Sequence, residues 1–308
     1  SFFNATGTIA NGANYFSTIN SSNTQGLVGT DYTNAIRLLS NKDDYQFNII
    51  VAPGLTYANT TTQLDSIVSL AESRGDCIAV IDLVNYGSTL AGATTKALSL
   101  NTSYGASYWP WVQMRSATGR NEWCPASVVI PGVYAFTDAA AAPWFAPAGL
   151  VRGGIPGVIQ TERRLSKSDR DNLYAGKVNP IATFPGTGIS IMGQKTLQSK
   201  ASALDRVNVR RLLIDLKKFI GDQARTLVFE QNTISTRNKF LAAVNPYLES
   251  VVQRQGLYAY RVVMDDTNNT ADVVDRNQLI GQIYIQPAKT IEFVVLDFVI
   301  EPTGVTFG

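Results

Sequence analysis

The sequence predicts an α/β domain with a parallel-containing sheet, followed by an α+β C-terminal domain with a small antiparallel sheet. Three observations carry this prediction. A strand, an amphipathic helix and a second strand follow one another within Phe47–Leu83, the spacing of a right-handed βαβ unit with parallel strands. Two long amphipathic helices fill most of residues 207–255 and strand-like runs follow them, the order of an α+β unit. The chain has 308 residues and its composition shifts around Gln198–Ala203. Single domains cluster near ~100–150 residues, so the domains are set at 1–200 and 201–308.

Ser1–Asn23 is rich in Asn, Ser, Thr and Gly and reads as irregular surface. Asp31 can cap a short helix over Tyr32–Leu39. Phe47–Ala52 (FNIIVA) is a buried strand broken by Pro53-Gly54. In Thr62–Arg74, Leu64, Ile67, Val68 and Ala71 share one face, and Gly75 can end the helix in the left-handed conformation. Cys77–Leu83 (CIAVIDL) is the second apolar strand, and a parallel sheet requires helices on both of its faces. A helix is expected over Lys96–Ser103. Tyr104–Arg115 (YGASYWPWVQMR) is an aromatic strand in which Pro110 removes a ladder donor, so it is placed at an edge or a bulge. Ala126–Asp138 fits strand and helix alike. Ala139–Pro156 should run extended, with Trp144 and Phe145 packed across the domain as a clasp. Ser166 and Asp169 have the spacing of a capping box, and Gly176 ends the short helix near Tyr174. Ile181–Phe184 and Ile189–Met192 flank a turn at residues 185–188.

In the second domain, Val207–Arg225 is a helix with Leu212, Leu213, Leu216, Phe219 and Ile220 on its buried stripe. Arg210, Arg211, Lys217 and Lys218 are expected on or beside the wet side. Leu227–Glu230 reads as a short strand. Ser235–Gln255 is a second helix, carrying Pro246 as a kink, with Gly256 at its end. Strands follow at Leu257–Met264, Ile280–Gln286 and Thr290–Glu301. The last is twelve residues long, against a usual length of about 5–6. Ile291, Phe293 and Val295 line a wholly apolar face, and an open edge of this kind recruits other chains. Ile291, Phe293, Val295, Asp297 and Val299 are therefore expected at a subunit interface. Charge divides the same domain. Residues 201–254 hold nine Lys/Arg against five Asp/Glu, and residues 255–308 hold three against seven. Arg210, Arg211, Lys217 and Lys218 are expected to dock on the acidic end of a neighbour in head-to-tail packing.

The chemistry is sparse. No histidine occurs, which removes the commonest general base, the commonest metal ligand and every Ser-His or Cys-His dyad. Cys77 and Cys124 form no metal or disulfide pattern, and Cys77 is expected as a buried thiol. Pro185-Gly186-Thr187-Gly188 lacks the lysine of a phosphate loop. Pro53-Gly54-Leu55 sits where a doubly wound enzyme binds its ligand, but one glycine does not make a dinucleotide site. Asp265–Asp272 is dense in oxygen ligands without the EF-hand glycine or closing glutamate, and reads as a solvated connector. No cofactor, metal or catalytic residue is expected. Charged residues make up 16% of the chain and net charge is +2; there is no basic tract for nucleic acid and no apolar run of ~20 residues for a membrane span. Low charge suits a subunit that loses surface to neighbours. The chain begins with Ser1, so a fragment or a processed product is expected. From these residues alone, a Ser/Lys or Asp/Lys hydrolase-like enzyme and a non-contractile shell or adhesin protein remain alternatives.

Several stretches, taken in order, resemble contractile tail sheath proteins of T4-like myophages, in their conserved core and C-terminal region. These are NIIVAPG at Asn48–Gly54, YGASYWPWVQMR at Tyr104–Arg115, PGVYAFTDAAAAPWFAPAG at Pro131–Gly149 and NPIATFPGTGISIMGQKTL at Asn179–Leu197. VNVRRLLIDLKKFI at Val207–Ile220, VFEQN at Val228–Asn232 and IYIQPAKTIEFVVLDF at Ile283–Phe298 complete the set. The resemblance implies a non-catalytic subunit of the virion tail, assembled in the host cytoplasm as stacked hexameric rings. Its implied partners are further copies of itself, a tail tube protein, and baseplate and tail terminator proteins. Such sheaths contract to drive the tube through the host envelope. Whole proteins of this kind carry an N-terminal arm and outer domains that are not in this chain, which places Ser1 inside a longer parent.

Overall fold

The structure, a computed structural model, describes residues 29–292. Most of the expected strand Thr290–Glu301, with Phe293, Val295, Asp297 and Val299, lies outside the described residues.

The chain opens on α1 (Gly29–Leu39) and enters β1 (Ile49–Thr56), which continues past Pro53-Gly54 through an irregularity in its pairing. Helix α2 (Thr61–Arg74) follows and ends at Gly75, whose φ of 69° is the left-handed cap that a glycine adopts without strain. Strand β2 (Ile78–Asp82) pairs parallel with β1, as the spacing requires. Helix α3 (Leu90–Leu98) starts earlier than expected, because the Thr89 side chain accepts from the Gly92 amide and caps it there. The aromatic run then divides. Strand β3 (Gly105–Trp109) lies in the middle of the main sheet, and β4 (Val112–Arg115) belongs to a second one with β5 (Asn121–Cys124). Pro110 marks neither an edge nor a bulge: it falls between the two strands, where its missing N–H breaks no ladder.

The ambiguous stretch is helical, α4 (Ile130–Ala140), after a turn of 3-10 helix at Ala126–Val128. A four-residue turn of helix, α5 (Gly149–Arg152), interrupts the expected extended run, and β6 (Val158–Thr161) follows it. Helix α6 (Lys167–Ala175) begins with the expected capping box, in which the Ser166 hydroxyl and the Asp169 carboxylate each accept from the other's backbone. Strands β7 (Asn179–Phe184) and β8 (Gly188–Ile191) close the first part. The C-terminal part comprises α7 (Val207–Arg225), α8 (Ile234–Gln253), β9 (Leu257–Val263), the short α9 (Ala271–Asp275) and β10 (Gln282–Pro287). Pro246 lies inside α8, and Leu227–Glu230 is a turn rather than a strand.

The main sheet runs β1-β2-β3-β7-β8, with β1, β2, β3 and β7 parallel and β8 antiparallel to β7. Period two divides its side chains between two cores. Ala79 and Ile81 face a cluster that holds Leu64, Ile67 and Ala71 of α2, Ala93 and Ala97 of α3, and Leu173 of α6. Ile78 and Val80 face the opposite cluster with Ile130, Val133 and Tyr134 of α4 and Val207 and Ile214 of α7. Strands with both faces apolar thus carry helices on both sides. A three-stranded sheet, β5-β4-β6, flanks this body.

A third cluster surrounds the antiparallel pair β9–β10, with Leu212 and Leu216 of α7, and Phe240, Val244, Leu248 and Val251 of α8. Trp144 enters it from the α4–α5 connection and is buried. Its indole N–H donates to the Arg254 carbonyl at 3.0 Å, and the Arg254 guanidinium lies 4.8 Å from its ring centre. The clasp is therefore real, but it closes on the C-terminal helices. Gly256 makes this approach possible, since a Cβ there would meet Val251 Cγ1 at 2.6 Å and the Trp144 ring at 3.0 Å.

Candidate assembly interface

The surfaces expected to join copies sort into three groups. Ile291 is 85% exposed, just past the sheet. Among the described residues strand β10 pairs with β9 along one edge only, and its residues alternate: Ile283 and Ile285 pack inward while Gln282, Tyr284 and Gln286 face out. A two-stranded sheet with unpaired edges is a template for added strands.

The residues that follow β10, up to Glu292, are held against the body. The Arg206 guanidinium grips Glu292 with two charge-assisted bonds, Nε to Oε1 at 2.6 Å and Nη2 to Oε2 at 3.0 Å. Buried Gln194 donates to both Glu292 and Thr290. Tyr174 of α6 lies beside them, and burial together with the Glu292 charge raises its phenol above the ordinary range. Neither Arg206 nor Gln194 stands out in the sequence, since their partners lie 86 and 98 residues away.

The basic residues expected on the wet side of α7 do not share one fate. Lys217 and Lys218 are exposed, whereas Arg210 and Arg211 are each only 4% exposed. Arg211 is committed within the chain, where one Nη donates to both Asp138 oxygens at 2.6 and 2.7 Å and the guanidinium stacks 4.5 Å from the Tyr134 ring centre. Arg210 bonds Ser103 and lies 3.9 Å from the Tyr104 ring centre. Their placement on the solvent side is thus corrected: long-range partners draw both inward. Of the four, only Lys217 and Lys218 keep the exposure that docking by charge requires.

Among the described residues no group of His, Cys, Asp or Glu is arranged to hold a metal. In the oxygen-rich connector the Thr267 amide donates to Asp265, and Asn269 bonds both the amide and the carbonyl of Ile280, so these oxygens serve the turn itself. Cys77 is buried, and burial pushes its thiol up to about 12. Asp82, at the end of β2, accepts from the amide and hydroxyl of Ser127, yet burial raises its carboxyl to about 6. The folded state then binds more protons than the unfolded chain between roughly pH 4 and 6. This contribution to stability is complete below that window and is lost as pH rises through it. Asp82→Asn keeps an acceptor for the Ser127 amide and is expected to flatten the slope in thermal melts taken from pH 4 to 7. At pH 7 it should match or exceed the wild type, by up to about 2 kcal/mol. A variant that retained the full slope would move its origin elsewhere.

Comparison with known proteins agrees with this architecture. Residues 25–197 match the family described as phage tail sheath protein central domain, and residues 199–301 match the phage tail sheath C-terminal domain. The chain is 34% identical over 304 residues to the tail sheath protein of Vibrio phage KVP40, covering 90% of this chain and 45% of that protein. Against the tail sheath protein of Enterobacteria phage T4 it is 32% identical over 312 residues, covering 93% and 47%. The chain thus spans about half the length of these relatives. Among solved structures, it is similar to the contracted sheath complex of an extracellular contractile injection system. The TM-score is 0.74 at 26% identity, over 86% of this chain and 74% of that one. Matched along both of its parts, the chain belongs to the phage tail sheath protein family.

Proposed function

We propose that this chain is the conserved body of a contractile tail sheath subunit. The family is structural and the chain is not an enzyme. Copies form hexameric rings that stack around a tail tube, between a baseplate and a terminator, in the tail of a virion. Contraction of the stack drives the tube through the host envelope. Residues 1–200 and 201–308 act as two units, the second supplying the links between copies. The observation that carries this reading is the paired similarity: relatives named as tail sheath proteins, and a solved neighbour that is a sheath in its contracted state. The half-paired β9–β10 sheet and the exposed Ile291 beside it supply a physical means of linkage by strand addition.

Deleting Thr290–Gly308 tests the linkage. The truncated protein should keep its far-ultraviolet circular dichroism and lose polymerisation, whereas the parent should form striated tubes in negative stain. Tubes of normal length from the truncated protein would remove strand sharing from the account, and closed shells from the parent would remove the sheath reading itself.

A further inference from the structure

We propose that a basic cleft beside the C-terminal half of α7 receives the acidic β9–β10 loop of a second copy of this chain. The cleft has a volume of about 220 Å³ and lies where α7 passes the end of α2 and the residues that follow α1. Lys42, Arg74, Lys217, Lys218 and Arg225 line it, opposed by Asp76 and Asp222. The two acids are already engaged, Asp76 by Arg74 at 2.8 Å and Asp222 by Arg225 at 3.9 Å. Asp43 on the rim also faces Arg225, at 3.3 Å.

The lysines keep their charge available. Lys42 rests on the carbonyls of Ser73 and Arg74, and Lys217 reaches the Tyr104 hydroxyl at 3.5 Å. Lys218 has no ion-pair partner among the described residues. Behind Tyr104 lies the buried Arg210, which bonds neutral Ser103 and, among the described residues, no carboxylate. With Asp76 and Asp222 neutralised by Arg74 and Arg225, the three lysines leave the cleft with an excess of positive charge, and a concave surface of that kind favours carboxylates over neutral surface.

The chain carries a matching piece. The loop between β9 and β10 holds Asp265, Asp266, Asp272 and Asp275 against Arg276. Asp266 pairs with Arg237 of α8 and Asp272 with Arg276, so the loop keeps a net negative charge with Asp265 and Asp275 outside any ion pair among the described residues. Asp272 and Asp275 are exposed on or beside the last turn before β10, and Asp275 has no ion-pair partner among the described residues. Asn269 pins the loop to Ile280 through both backbone groups, so little ordering remains to oppose docking. Cleft and loop are different patches of one chain. Their contact is heterologous and repeats from copy to copy instead of closing on itself in a dimer. This inference rests on the self-assembly reading above and specifies one of its contacts.

The test is a charge swap in the full chain, read by sedimentation velocity at low and at physiological salt. Lys217→Glu with Lys218→Glu, all at exposed positions, should weaken self-association by about tenfold or more, and so should Asp272→Lys with Asp275→Lys. An equimolar mixture of the two reversed proteins should recover association, because each then offers the other a matched pair. Reversed proteins that associate like the wild type, or a mixture that fails to recover, would overturn the proposal. So would inorganic pyrophosphate binding that the lysine reversal abolishes while association stays unchanged, since the cleft would then hold a free oxyanion. A wild type that stays monomeric would overturn this contact together with the assembly reading; association indifferent to the swap would overturn this contact alone.

Discussion

Trp144→Ala should cost about 3–5 kcal/mol, the range for removing a large aromatic side chain from a packed core. Trp144 is 6% exposed and lies among Leu212, Leu248, Val251 and Leu257. Its removal leaves the Arg254 carbonyl without the indole N–H and the Arg254 guanidinium without its ring. Asn208 bonds the Trp144 carbonyl at 3.1 Å and would survive the change, so the backbone of the clasp should stay in place around the cavity. Urea unfolding should therefore show a lower midpoint with an unchanged slope. A loss under about 1 kcal/mol would mean that the clasp closes on a surface already stable without it.

Asp138→Ala is the second large effect expected, about 3 kcal/mol, because it strands a buried guanidinium. Arg211 is nearly wholly buried and Asp138 about one-quarter exposed, so the value falls at the low end for a broken buried pair. The pair joins α4 to α7 across the face that holds Tyr134. Replacing both partners, Asp138→Leu with Arg211→Met, removes the uncompensated charge and should be milder than Asp138→Ala alone. A double variant as damaged as the single one would show that packing of the guanidinium on Tyr134 carries the stability, rather than the charge.

What the sequence made legible follows from which forces act locally. Helix α2 was readable because Leu64, Ile67, Val68 and Ala71 repeat at helical spacing and Gly75 supplies its cap. Helix α7 and the β9–β10 pair were readable for the same kind of reason, a strong period. Ile130–Ala140 was not, because VVIPGVYAF satisfies both periods and only burial against Ile78, Val80 and Ile181 selects a helix. Leu227–Glu230 has strand-forming residues, yet Phe229 adopts a φ of 72° and the segment turns between two helices. Arg210 and Arg211 were misplaced for a different reason. Charge is read as solvent-facing, while their partners Ser103 and Asp138 lie 107 and 73 residues away in sequence. The strand expected over Thr290–Glu301 lies mostly outside the described residues; the grip of Arg206 on Glu292 was not legible, because the two lie 86 residues apart in sequence.

Helix α7 has a mechanical consequence. Its Val207 and Ile214 belong to the core beneath the main sheet, and its Leu212 and Leu216 belong to the core beneath β9–β10. The contacts interleave along the helix, so one continuous rod is gripped by both cores over its first three turns, and Trp144 packs into the second of them. A load applied at the C-terminal sheet passes into the larger body through buried side chains, with no compliant joint in between. Bending the two parts against each other would require pulling apolar residues from both cores at once. Such a body behaves as a stiff lever, so under the proposed contraction the displacement would be taken up where one copy meets the next.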